Sequence, residues 1–291
     1  MQLKRLLKEL KVDDNVAYEE LSDYLENKFE TDREIPENIS EELFIKKWRT
    51  IIDLAKEVGI TKALNESISH GEEDIKFSEP DKVKLEIYES VAGNIPVIYA
   101  FNENDFYELV TKLIYKGKRM PNLEKTGASF AFGLTNRFII LSNKPYSNIP
   151  AESLNLDDKT WRDYSIIIRR EHECTHYFTK RFLGSSRNNL HDELVADFAG
   201  IMCASGEFHA DWFLKGMGLD KYPESQEAGR FPVYTAKLSD SSREVLKKII
   251  IKVAKNVELW SKKEKVKEMP RNERIMFLCS RSLLDLYYLY E

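Results

Sequence analysis

The sequence predicts an α+β fold that is predominantly helical. Three observations carry this. Gly (12) and Pro (9) are sparse in 291 residues while Leu, Lys and Glu are plentiful, a balance that favours helix. Apolar residues recur at helical spacing in the first eighty residues and again in the last third. Between those stretches lie short β-rich runs bounded by turn formers, enough for one small sheet.

Taken in order, Leu3, Leu6, Leu7 and Leu10 form a first amphipathic stripe, and Tyr18, Leu21, Tyr24, Leu25 and Phe29 a second. Ser40 is placed to cap a third helix, in which Leu43, Phe44, Trp48, Ile51, Ile52 and Leu54 recur. The turn-rich, charged segment 67–80 is the best boundary, giving a helical N-terminal region over 1–80 and a domain over 81–291. Val83–Tyr88 and Ile95–Phe101 read as strands, the second apolar throughout and therefore buried. Asn104–Tyr115 reads as a helix. Ala128–Leu134 and Phe138–Leu141 read as strands, with residues 135–137 as the turn between them. Asp157 or Asp158 can cap a long helix that ends near Leu183, with Gly184 at its C-cap. A further helix runs from about Asn189 to Ala204, and Ser241–Ser261 and Asn272–Tyr290 follow. The stripe Tyr287, Tyr288, Tyr290 reads as packing.

The formal net charge is −5, which argues against a nucleic-acid partner. No run of 18 apolar residues suggests a membrane span, and the N-terminus MQLKRLLKELKVDD lacks the apolar core of a signal peptide. The three cysteines, Cys174, Cys203 and Cys279, lie far apart with no CxxC, a set that suits a reducing compartment. The expectation is a cytoplasmic protein without a membrane or nucleic-acid partner. The sequence leaves oligomeric state open.

His172-Glu173-Cys174-Thr175-His176 is the stretch that carries chemistry. On a helix, residues four apart share a face, so the two imidazoles can hold one zinc ion and Glu173 can act as general base on its water. Sixteen residues separate His176 from Glu193, room for the first helix to end, for a turn through Gly184-Ser185-Ser186, and for a second helix to return. Glu193 and Asp197 are again four apart. Glu193 completes a three-ligand site with one position open, the form catalytic zinc takes. Asp197 is placed to accept from the other ring nitrogen of a ligand histidine. Asp192 is the rival third ligand, but it points about 100° away from Glu193 on a helix. His191 reads as a loop histidine at a helix start, and Asn188 and Asn189 as its caps. Cys174 falls on the opposite face as a small core residue. Arg169 shares a face with His172; it could bind a substrate carboxylate, pair with Glu193 or Asp197, or stand in solvent.

HExxH followed by a helix carrying ExxxD resembles the gluzincin class of zinc metallopeptidases, over about residues 169–200. The interval between the two helices is shorter than in thermolysin, so the likeness is to the class. ELVADFAG is also similar to compact bacterial gluzincin-like proteases with an E-x-x-A-[DN] helix. The wider stretch RREHECTHYFTKRFLGSSRNNLHDELVADFAG resembles a bacterial family of unassigned function. The resemblance implies a zincin-like core over 81–291, with a small sheet packed on the HExxH helix. It implies His172, His176 and Glu193 as zinc ligands, Glu173 as base and Asp197 behind the ligands. It also implies an upstream edge strand for a peptide substrate, at Ala128–Phe132, and a downstream Tyr or His that stabilises the oxyanion. His209, Tyr222 and Tyr234 are available for that last role, and the sequence does not choose among them. The leading expectation is thus a zinc peptidase acting on a peptide or protein. The alternative is a non-catalytic protein of the same fold that works as a binding or regulatory module. Glu173 favours the enzyme, since a binding module has no need of a carboxylate there.

Overall fold

A computed structural model of the chain describes residues 2–68, 74–118, 120–133, 137–184, 189–223 and 229–291. His70, Ser185, Ser186, Asn188 and most of the turn expected at 135–137 lie outside them. The helices are α1 (Gln2–Glu9), α2 (Asn15–Tyr24), α3 (Leu43–Val58) and α4 (Ile60–Ser67), and after them come strands β1 (Val83–Ser90) and β2 (Gly93–Ala100). Helix α5 (Glu103–Leu109) runs into a π-helical turn, Val110–Ile114, ahead of strands β3 (Ala128–Phe132) and β4 (Arg137–Ser142). Then come α6 (Asp158–Phe182), α7 (Leu190–Ser205), α8 (Ala210–Met217), α9 (Phe231–Thr235), α10 (Asp240–Ser261), α11 (Glu264–Lys267), α12 (Arg271–Cys279) and α13 (Leu283–Tyr287). The protein is mostly helical with one small mixed sheet, an α+β fold. No helix among the described residues is long and apolar enough to cross a membrane.

The chain divides into two compact units, Pro36–Cys174 and Met1–Ile35 with Thr175–Glu291; the division falls inside the unbroken helix α6. The first unit holds the sheet, in the order β1-β2-β4-β3. β1 and β2 form an antiparallel hairpin, β2 and β4 run parallel, and β3 is an antiparallel edge strand on β4. As a central strand, β2 buries Ile95, Val97, Ile98, Tyr99 and Ala100, as its continuous apolar run requires. Helix α3 packs on β1 and β2, and α5 packs on β2 and β4, so residues 43–58 belong with the sheet. In the second unit α10 packs against α2, α8 and α13, and α12 packs against α7.

Several boundaries differ from expectation. Helix α3 starts at Leu43, after Glu42, and Ser40 lies too far back to cap it. The Glu42 carboxylate serves Arg137 instead, at 2.8 and 2.9 Å. Leu43 is 95 % exposed and Ile45 takes its place in the core, which rotates the expected apolar stripe by part of a turn. The segment expected as one helix over 272–290 breaks after Cys279. Ser282 Oγ accepts from the Asp285 backbone N–H, and the Asp285 carboxylate accepts from Ser282 N–H, a reciprocal cap that starts α13 afresh. Other signals hold their positions: Asp157 Oδ1 accepts from Thr160 N–H at 2.9 Å at the head of α6, and Gly184 takes φ +67 after its end.

Candidate metal centre

Helix α6 carries both histidines one turn apart. Its approach is anchored by Ser165 and Ile168, which are fully buried, while Ile166 and Ile167 are half-buried. Arg169 is buried and donates to the carbonyls of Lys144 and Pro145, the latter at 2.8 Å. None of the three roles open to Arg169 in sequence includes this one: its guanidinium ties α6 to the loop after β4. Gly127, at the start of β3, leaves room for it, since a Cβ there would meet Arg169 Nε at 2.4 Å. That loop delivers Tyr146, whose N–H donates to Ser165 Oγ at 2.8 Å and whose hydroxyl lies 3.1 Å from His172 Nδ1. His172 is buried, with its Nδ1 engaged by a phenol.

Helix α7 supplies the carboxylates. Its N-cap is Asn189, whose side chain accepts from the N–H groups of His191 and Asp192. Tyr24 of α2 accepts from Leu190 N–H at 3.2 Å and donates to the Tyr234 carbonyl at 3.2 Å, joining the start of α7 to α9. Burial pushes the Tyr24 phenol up to about 12, so it keeps the proton that this arrangement needs. Glu193 and Asp197 are both buried. Glu193 Oε1 lies 3.5 Å from His176 Nε2. Its other oxygen, Oε2, accepts from Tyr234 Oη at 2.7 Å and Arg230 Nη1 at 3.0 Å, and Arg230 Nη2 donates to Asp197.

Taken together, His172, His176 and Glu193 each offer one ligand atom, all within 4.8 Å of one another. Ligand atoms bonded to one tetrahedral ion at about 2.1 Å sit about 3.4 Å apart, so the group could hold a metal ion after closing by about an ångström. The donor set of two imidazoles and one carboxylate suits zinc. The residues present therefore fit the metal the motif implies. Asp192 is not in the group; it is buried near Cys279, whose thiol is pushed well up by burial first and by the Asp192 charge second. Glu173 is half-exposed and makes no hydrogen bond or ion pair among the described residues. Cys174 is fully buried, as expected of its face.

Of the three oxyanion candidates, the structure brings Tyr234 to the cluster. Burial raises its pKa and the neighbouring Arg230 opposes the rise, with the net result that the phenol holds its proton as a donor. Tyr222 donates to Glu244 at an exposed position. His209 precedes α8 and stacks on Trp212, with ring centroids 4.4 Å apart. His191 is a buried residue of α7 whose Nε2 lies 3.1 Å from the Leu278 carbonyl oxygen. Sequence reasoning passed over Tyr146 and Arg230. Arg230 does carry one faint signal, its i,i+4 spacing with Tyr234, which mirrors the spacing of Glu193 and Asp197.

Fold and site define the class: an α+β protein with a partly buried His-His-Glu group able to hold a metal ion. Residues 66–137 and 134–289 match the model of a family described as a family of unknown function (DUF7005), and the chain belongs to that family. No curated protein and no solved structure matches the chain.

Proposed function

We propose that this protein is a zinc-dependent hydrolase, and specifically a peptidase. The observation that carries the reading is the meeting of His172, His176 and Glu193, with Glu173, next to His172 in the chain, making no hydrogen bond or ion pair among the described residues. The three ligands would hold the ion. Bound there, zinc would lower the pKa of water and polarise a carbonyl. Glu173 takes the proton from the attacking water and passes it to the leaving amine. Tyr234 donates its phenolic hydrogen to the carbonyl oxygen as that oxygen gains charge. β3, the edge strand of the sheet among the described residues, offers backbone groups to an extended peptide by strand addition.

Two measurements test this. Metal analysis should find close to one zinc per chain, lost in His172→Ala and in His176→Ala. On a mixed peptide library Glu173→Gln should keep its zinc and its fold while cleavage falls by about 10²–10⁴-fold, the usual worth of a positioned base. A wild type that takes up no zinc, or one that cleaves no better than Glu173→Gln, overturns the peptidase reading and leaves the binding-module alternative.

A further inference from the structure

We propose that Arg230 is a positioning residue for the metal: its guanidinium fork holds Glu193 by one oxygen so that the other faces the ion. This rests on the zinc reading above.

The geometry is two interlocked pairs. Glu193 and Asp197 stand four apart on α7, and Arg230 and Tyr234 stand four apart at α9. Arg230 reaches both carboxylates, with Nη1 on Glu193 Oε2 at 3.0 Å and Nη2 on Asp197 Oδ2. Tyr234 adds a second donor to the same Oε2 at 2.7 Å. Two donors on Oε2 fix the carboxylate plane and leave Oε1 directed at His176 Nε2, 3.5 Å away. A planar fork suits this task, since it sets an orientation as well as a charge.

The origin of the fork is itself fixed. Arg230 N–H donates to the Gly216 carbonyl at 3.0 Å, and Phe231 and Thr235 are buried. Gly229 has φ +141, and a Cβ on it would lie 2.4 Å from Gly218 N and 2.5 Å from Met217 C. The chain thus enters α9 pressed against the end of α8 at a position only glycine fills. Arg230 then starts from a constrained backbone, and its reach to α7 follows.

The charge of Arg230 and its positioning of Glu193 act on zinc affinity with opposite signs. A cation beside a ligand carboxylate repels a dication, so if charge alone mattered, removing Arg230 would tighten zinc binding. If positioning dominates, removal weakens it, by about 10–100-fold as for other groups that orient metal ligands. The test is zinc affinity of the full chain, measured by competition with a chromophoric chelator, for wild type, Arg230→Gln and Arg230→Lys. The lysine keeps the charge but lacks the fork. Cobalt(II) is loaded in parallel, because its visible spectrum reports coordination geometry, which a merely structural role would not move. Both variants should bind zinc more weakly, lysine less severely, and both should shift the cobalt spectrum. Should Arg230→Gln not fold, the affinity and cobalt spectrum of Arg230→Lys carry the measurement alone. Unchanged or tighter zinc binding in the glutamine variant, or a lysine variant equal to wild type in affinity and spectrum, overturns the inference. A wild type that binds no zinc brings down the zinc reading itself and this inference with it.

Discussion

Tyr146→Phe isolates one atom behind the proposed metal site. The hydroxyl lies 3.1 Å from His172 Nδ1, in a buried setting where the ring is held by its own backbone bond to Ser165 and by Arg169, 5.6 Å above it. Phenylalanine fills the same space, so the fold should stand. When Nε2 of His172 binds an ion, Nδ1 must carry the proton, and the phenol oxygen is positioned to accept it. Without a metal the imidazole can adopt either tautomer, so the hydroxyl contributes more to the loaded state than to the empty one. A net hydrogen bond is worth about 0.5–1.5 kcal/mol, and a buried donor deprived of its acceptor costs about 1–3 kcal/mol. A loss of about 1.4 kcal/mol in zinc affinity, or roughly tenfold, follows. Chelator competition on wild type and variant reads that number, and thermal unfolding of the metal-free proteins checks the fold. A folded variant that binds zinc as tightly as wild type refutes the assignment of Tyr146 to the site.

How much of this was legible in the sequence depends on how local each feature is. Helix α1 follows from the spacing of Leu3, Leu6 and Leu7, all buried, and β2 from an apolar run that the structure buries almost throughout. The break between Cys279 and Leu283 was not legible, because apolar periodicity continues across it while the Ser282–Asp285 cap acts on individual hydrogen bonds. The parallel pairing of β2 with β4 was beyond reach for another reason. It joins strands separated by α5 and β3, and nothing in either strand encodes its partner.

The site divides along the same line. His172, His176 and Glu193 stand out as candidates in sequence because i,i+4 spacing and a helix–turn–helix interval are properties of neighbouring residues, and the structure brings one ligand atom of each within 4.8 Å of the others. Tyr146 and Arg230 reach the site from 26 residues before His172 and 37 residues after Glu193. Only tertiary packing places them there, and tyrosine and arginine are too common in the chain to stand out alone. Arg169 shows the limit from the other side. The sequence offers its guanidinium three reasonable roles, and the structure gives it a fourth, donation to the backbone carbonyls of Lys144 and Pro145.

Two further predictions concern groups outside the chemistry. Cys203 is exposed while Cys174 and Cys279 are buried, so a thiol reagent should modify one cysteine in the native protein and three after denaturation; two reactive thiols in the native state would contradict this packing. The other prediction concerns acid stability. Burial pushes the His191 pKa down from 6.5 to about 4, with the Leu278 carbonyl and the Asp285 charge opposing the fall. A histidine depressed in the folded state stays neutral while its unfolded counterpart gains a proton, so acid favours unfolding. Above about pH 6.5 both states are neutral and His191 contributes no pH dependence. Between pH 6.5 and about 4 the unfolded state binds more protons and stability falls; below about 4 the loss is complete. At about 1.4 kcal/mol per tenfold in proton affinity, the interval from 6.5 to about 4 amounts to about 3 kcal/mol. Carboxylates titrate over part of the same range, so the readable quantity is a difference. Urea unfolding of metal-free wild type and His191→Gln, followed from pH 7.5 to 4, should give curves of stability against pH that separate by about that amount, with wild type losing more on acidification. The ring edge of His191 against Phe29 and its bond to Leu278 also stabilise the native state, so wild type can start higher at pH 7.5 and still fall faster. Curves that run parallel across the range would mean that His191 is not held neutral beneath α12, and that the buried end of α7 is more open to water than the packing indicates.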